Sequence, residues 1–171
     1  GQQPVLVDEK GPGGFLRDYT DEQVGYPTHL SAHPPGMVLL LWAEDQVGLG
    51  GTAGQIGTVM AAVAMGAVAA LVALRALAGE AFARAAAPFL VVAPAAVWHT
   101  NADVVFGGIA LAGVALLAAA TGQDGRSAQR RAVGGGVLFG AALLFSQGMV
   151  LMVVPALALL GYRRRVHLAA L

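Results

Sequence analysis

With 171 residues, 57% of them hydrophobic and only 12% charged, the chain falls well below the roughly 25% charge of a soluble domain and has a membrane-protein composition. Ten basic residues against ten acidic ones leave a formal net charge of zero, which excludes a nucleic-acid binder working through a basic face. The absence of cysteine excludes disulfides, thiolate metal sites and a cysteine nucleophile.

The first 36 residues hold no long apolar run and no signal-peptide pattern, and the chain is expected to be a fragment beginning downstream of a first membrane span. Gly11 to Gly14 precede no strand-to-helix unit and read as a turn. Asp18, Asp21 and Glu22 follow at spacings of three and four, so a helical turn sets Asp18 beside the other two. Such a cluster suits a general base, or a divalent cation such as magnesium or manganese. Equally, Thr20 with Gln23 three residues on reads as a capping box, Asp21 and Glu22 then merely favouring a helix start before Pro27 stops it. His33, Pro34, Pro35 and Gly36 lead into Met37–Ala43, an apolar run too short to span, which is expected to form a surface-lying amphipathic helix. Glu44 and Asp45 end that run, and the glycine-rich stretch Gly48–Gly54 turns the chain into the membrane.

About 20 apolar residues cross a hydrocarbon core. Ile56–Leu74 is the clearest span and stops at Arg75. Phe82–Trp98 is the second, with Arg84 placed to snorkel and Pro88 and Pro94 tolerable in lipid. Val104–Ala120 is the third, separated from the second only by His99, Thr100, Asn101, Ala102 and Asp103, which implies a tight antiparallel hairpin. Asp103 opens its span, where the helix dipole favours a carboxylate; facing the acidic segment across a short hairpin, it is also a functional candidate. Ala132–Gly161 is an uncharged run of 30 residues, about 45 Å as one straight helix. Two short helices meeting at the polar break Ser146-Gln147-Gly148 fit this length, as does one tilted or kinked span. Gly136 and Gly140 give a small-xxx-small spacing for close packing. Gln147 is read either as a helix-to-helix hydrogen bond or as a ligand for a polar headgroup.

Basic residues set the orientation. Arg75 and Arg84 flank one loop, Arg126, Arg130 and Arg131 lie in another, and Arg163, Arg164 and Arg165 close the last. These loops share the cytoplasmic side only if the final run goes in and returns. The expected architecture is therefore all-α, a polytopic transmembrane bundle. Residues 1–54 form an extracytoplasmic loop with a short interfacial helix, residues 55–162 supply three spans plus a broken hairpin, and residues 163–171 form a cytoplasmic basic end. The outer face then collects Asp18, Asp21, Glu22, His29, His33, His99, Asn101 and Asp103.

The order of these features is an outer acidic pair, His-Pro-Pro, a short apolar helix, spans joined by basic turns, an outer hairpin ending in Asp, and Gly-x-x-x-Gly running into a polar break. It resembles the GT-C superfamily of integral-membrane glycosyltransferases, which includes the protein mannosyltransferase and aminoarabinose transferase families. The resemblance runs from Asp18 to Tyr162 through short, degenerate motifs. It implies a catalytic or metal-binding role for Asp21 and Glu22, and substrate contact for His33 and Asp103, beside which His99 and Gln147 are the further binding candidates. Two departures stand out: the acidic pair lies closer to His33 than is usual, which makes Asp18 a third candidate, and Ser146-Gln147 stands where relatives often carry Lys. The implied function is transfer of a sugar from a polyprenyl-phosphate donor to an acceptor on the outer face of the plasma membrane, the carboxylate acting directly or through a divalent cation. The alternative is a non-catalytic polytopic membrane protein, a transporter part or a scaffold. A transporter should carry polar residues near mid-membrane, and the spans offer only Thr58 and the Ser146-Gln147 break.

Overall fold

The computed structural model describes residues 3–92 and 103–162, which are helical with short connections and contain no strand. The expected all-α class holds. In chain order the helices are α1 (Gln3–Glu22), α2 (Thr28–Ser31), α3 (Gly36–Gln46), α4 (Thr52–Ala78), α5 (Glu80–Val92), α6 (Asp103–Thr121), α7 (Gly125–Leu143) and α8 (Val153–Tyr162), with 3₁₀ segments at Gln23–Gly25 and Gln147–Met152. His99, Trp98, Pro94, Asn101 and Arg163 to Arg165 lie outside the described residues.

The N-terminal segment, expected as an outer loop with one short interfacial helix, is largely helical. It is a small helical unit with its own core of Val7, Phe15, Tyr19, Leu30 and Val38, against which Leu6, Tyr26, Leu39 and Trp42 pack. The sequence hides this unit because its glycines interrupt the pattern. Gly11 takes φ 69°, ψ 160°, a backbone that glycine adopts without strain, and kinks α1 there. Pro12, with φ already set for a first turn, restarts the helix at once. Beyond the kink, Phe15 and Tyr19 stand one turn apart and meet edge to face with centroids 5.3 Å apart. The glycine stretch is thus a kink inside a helix and not a chain reversal.

Nor is α3 a helix with a single apolar face. Val38 and Trp42 pack on α1, while Met37 and Leu40 pack on Ala62 of α4 and on Val104 and Val105 of α6. It is held between the N-terminal unit and the long helices.

The long helices associate through small residues. α4 buries Ala62, Ala69 and Ala73, which face α6 together with Gly66, whose added Cβ would lie 3.7 Å from Gly108. A Cβ on Gly108 would sit 2.8 Å from the Ala62 carbonyl oxygen, so the two backbones approach as closely as glycine permits. The pairings of Ala62 with Val105 and of Ala69 and Ala73 with Ala115 and Ala118 make α4 and α6 parallel, with α5 as the return. α7 runs antiparallel to α6 and touches it at Gly135 and Gly113, where a Cβ on either glycine would come 3.1 Å from the other's carbonyl oxygen. Gly136 and Gly140 were the expected contact positions, yet Gly140 faces open space. The reason is rotation, since one residue along a helix turns a side chain by about 100°.

The uncharged run does break where its polar residues lie. Ser146 is extended at φ −152°, ψ 125°, and α8 folds back so that Leu159 packs on Ala69, Ala73, Ala115 and Ala118 and on Leu117, Ala120 and Ala132. Two short helical pieces meeting at a polar break are what the structure contains. α4 and α6 are each long and apolar enough to cross a membrane.

Candidate functional site

The direction of the helices gives the bundle two chemically different ends. The starts of α4 and α6, the end of α7 and the whole of α3 lie at one end. At the other lie Arg75, the α4–α5 turn and the start of α7 with Arg126 and Arg130. In the turn, Glu80 pairs with Arg75 at 2.6 Å and with Arg84 at 2.9 Å, and both arginines hold its carboxyl below the usual range, Arg84 through its hydrogen bond most strongly. Arg84 thus makes an exposed ion pair.

At the first end, a chain of contacts ties together segments far apart in sequence. The kink of α1 carries Lys10 across to Asp18, 3.3 Å from its Oδ2, and into contact with Glu22 Oε1. Tyr26 donates its hydroxyl to Glu22 Oε2 at 2.8 Å. The Lys10 hydrogen bond, then that of Tyr26, hold the Glu22 carboxyl below its ordinary value, and Glu22 in turn raises Lys10. Asp21 is exposed and makes no ion pair among the described residues. Tyr19, whose phenol is pushed up by burial, places its hydroxyl 2.7 Å from the Leu30 carbonyl and 2.6 Å from that of His33, and donates to them. His33 itself is exposed. Three residues on, the Gly36 amide donates to the Leu144 carbonyl at 2.6 Å. Phe145 then packs with Met37 against Val104 and Val105, the residues that follow Asp103 at the start of α6.

The acidic cluster, the His33-Pro34-Pro35-Gly36 turn, the polar break and the start of α6 are therefore neighbours in one network. Gln147 and Asp103 are exposed at this end. The helix-to-helix hydrogen bond considered for Gln147 is not made among the described residues. The capping-box alternative for Thr20 and Gln23 fails as well, because Thr20 lies inside the last turn of α1 and Gln23 donates to the Ser31 carbonyl at 2.6 Å. Asp18, Asp21 and Glu22 occupy the end of a helix where the dipole disfavours negative charge. Helix stability gives no account of their placement.

Asp18 and Glu22 converge on the Lys10 ammonium, and Asp21 makes no ion pair among the described residues. Among the described residues no three His, Asp or Glu side chains could share a metal ion.

Two carboxylates escaped the sequence reading. Asp8 Oδ1 accepts from Trp42 Nε1 at 2.8 Å and Gln46 Nε2 at 3.3 Å, joining α1 to α3. Glu44 is only 6% exposed; its Oε1 accepts from the Thr58 hydroxyl, and its Oε2 is buried with no hydrogen-bond partner among the described residues. The signal for Glu44 was present, since Met37, Leu40 and Glu44 share one helix face and Thr58 is a lone polar residue in an apolar run.

No family model matches the chain, and no curated protein and no solved structure matches it either. Among the described residues the fold is all-helical, with two helices long and apolar enough to cross a membrane and a polar network at one end of its long helices.

Proposed function

We propose that the chain is the membrane part of a glycosyltransferase that moves a sugar from a polyprenyl-phosphate donor to a hydroxyl acceptor at the outer face of the plasma membrane. In this reading α4, α5, α6 and the broken pair α7–α8 lie in the bilayer, and the N-terminal unit covers their outer ends. One carboxylate of the Asp18, Asp21 and Glu22 group takes the acceptor proton as the acceptor oxygen bonds to the anomeric carbon. The bond from that carbon to the phosphate oxygen breaks, and polyprenyl phosphate leaves. Asp21 is the best placed of the three to act as base, because Asp18 and Glu22 are occupied by Lys10. His33, Asp103 and Gln147 surround the donor's sugar and phosphate.

The observation that carries this reading is the convergence of four sequence-distant polar elements at the end opposite the arginines, tied by the contacts of Tyr19 with His33 and of Gly36 with Leu144. The side chains of Asp21, His33, Asp103 and Gln147 are exposed at this end, where a polar ligand can reach them. The Lys10 ion pairs favour the second reading, a non-catalytic membrane scaffold whose outer charges satisfy one another.

The test uses membranes carrying the full-length protein and a panel of radiolabelled polyprenyl-phosphate sugars. Label should appear in endogenous acceptors, and Asp21→Asn should lower that transfer at least about a hundredfold at equal expression. Failure with every donor rejects the enzyme reading. The sidedness is checked separately, because the chain has no native cysteine: a cysteine at Thr52 should react with an impermeant thiol reagent in intact cells and one at Ser127 should not.

A further inference from the structure

The start of α7 carries a groove that the proposed reaction does not use. It measures about 370 Å³ and is lined by Arg126, Gln129, Arg130 and Val133. Arg126 and Arg130 stand one turn apart on one helix face. Both are exposed, and neither makes an ion pair among the described residues. This distinguishes them from Arg75 and Arg84 at the same end of the bundle, which share the Glu80 carboxylate.

Past the arginines the same face becomes apolar without interruption. Positions 126, 130, 133, 137, 140 and 144 alternate by four and three, which keeps them in one line along the helix. Val133, Val137 and Leu144 are 41%, 64% and 51% exposed. Between them, Gly140 has no atom within 4 Å of where a side chain would begin, so the track is recessed there. Val133 to Gly140 extends about 10 Å at helical rise, which lies within the roughly 15 Å depth of one leaflet.

A pair of guanidinium forks and a carboxamide, followed by a recessed apolar track that runs into one leaflet, has the polarity of an anionic amphiphile. We infer that this face of α7 holds one anionic phospholipid of the arginine-side leaflet. Its phosphate lies between Arg126 and Arg130, its headgroup against Gln129, and one acyl chain along Val133, Val137 and Gly140. Guanidinium suits this task because its planar donors match phosphate oxygens two at a time. A soluble anion would gain only the head contacts, all from one exposed helix face, whereas the lipid gains the track as well. The inference rests on the reading of α7 as a membrane helix, which the cysteine-labelling experiment tests independently of lipid choice.

The test is lipid binding to the full-length protein in detergent, followed by native mass spectrometry with dioleoyl phosphatidylglycerol and dioleoyl phosphatidylcholine. Each arginine contributes about fivefold toward an anionic headgroup, so the first phosphatidylglycerol should bind about thirtyfold more tightly than phosphatidylcholine. The double variant Arg126→Gln/Arg130→Gln should lose this preference, and Arg75→Gln/Arg84→Gln should keep it. Gly140→Leu fills the track on an exposed helix face and also removes a weak helix former, so it folds. It should weaken binding of the first phosphatidylglycerol severalfold. Equal affinity for the two lipids overturns the inference, as does equal loss in the two double variants, which would make the attraction diffuse. Displacement of the lipid by millimolar inorganic phosphate would assign the groove to a soluble anion and also overturn it. Unchanged binding in Gly140→Leu removes the acyl-chain track and with it the lipid assignment.

Discussion

Gly36 is the point where the N-terminal unit is fastened to the end of α7, and replacing it with alanine tests whether that junction holds the site together. A Cβ built on Gly36 would lie 2.4 Å from the Leu144 carbonyl oxygen, 2.7 Å from its carbon and 3.0 Å from the Phe145 nitrogen. These are backbone atoms, so no side chain can swing aside, and an ordinary contact requires the two segments to part by about 1 Å. Overpacking of this kind costs about 1–3 kcal/mol. Parting also stretches the Gly36 to Leu144 hydrogen bond of 2.6 Å, whose net worth is about 0.5–1.5 kcal/mol. A loss of about 2–4 kcal/mol follows. At about 2–4 °C per kcal/mol for a chain of this size, Gly36→Ala should lower the unfolding temperature in detergent by roughly 5–15 °C. Gly107→Ala is the control, because Gly107 also lies at a helical or near-helical position but has no atom within 4 Å of a new Cβ; it should be neutral or stabilising by up to about 1 kcal/mol. If Gly36→Ala matches Gly107→Ala, the close approach does not exist and the convergence of the His33 turn with the polar break is wrong.

Other outcomes follow from the same contacts. Glu44→Leu removes a buried carboxylate with an orphaned oxygen and leaves Thr58 free to bond a carbonyl of its own helix. It should leave thermal stability unchanged or raise it by about 1–3 kcal/mol, and a clear loss would mean that Glu44 has a partner essential to the fold. The Lys10–Glu22 contact should be insensitive to pH between about 6 and 9. Because the Glu22 carboxyl is lowered from 4.5 and Lys10 raised from 10.5, the contribution is complete between those ordinary values. It is lost as pH falls below 4.5 through the lowered Glu22 value, and again as pH rises past 10.5. The unfolding temperature measured against pH should follow that acid transition, and the Lys10→Met variant should lose that part of the pH dependence. Asp103→Asn keeps a good helix-capping side chain and should leave the protein folded and well expressed, yet lower sugar transfer about a hundredfold. Normal transfer in a well-expressed variant would withdraw Asp103 from the site.

What was legible in the sequence was whatever depends on uninterrupted composition. The apolar runs that became α4 and α6 needed only length and hydropathy, and the break at Ser146 showed because polar residues sit in the middle of a run too long for one crossing. The N-terminal unit was not legible, since its core residues Val7, Phe15, Tyr19, Leu30 and Val38 come from three helices separated by glycines and prolines, and no local period connects them. The acidic cluster was visible as a cluster, but Lys10 reaches it only because Gly11 bends the helix. A pairing at separations of eight and twelve residues has no helical periodicity to announce it. Gly135 was missed for Gly136 because a glycine run marks close packing without fixing the rotation of the helix.

The two kinds of packing within the chain bear on where it resides. Residues 3–46 are held by large side chains, Phe15, Tyr19, Tyr26 and Trp42 among them, with ion pairs on the outside, as water demands. The long helices are held instead by alanine and glycine, at Ala62, Ala69 and Ala73 against Gly108, Ala115 and Ala118; α4 turns its large apolar residues outward, whereas α6, packed between α4 and α7, has 56% of its most apolar stretch buried and keeps Val104, Val105 and Leu117 inside. Ile56, Met60 and Val68 of α4 are 58%, 63% and 61% exposed, and the most apolar stretch of α4 is only 17% buried. In water that surface would drive association with anything apolar. In hydrocarbon it is neutral, and close contact between small residues becomes the available means of helix association. The core helix of a soluble protein shows the reverse, with large residues inward and the surface polar. For α4 this inversion supports the membrane reading independently of hydropathy.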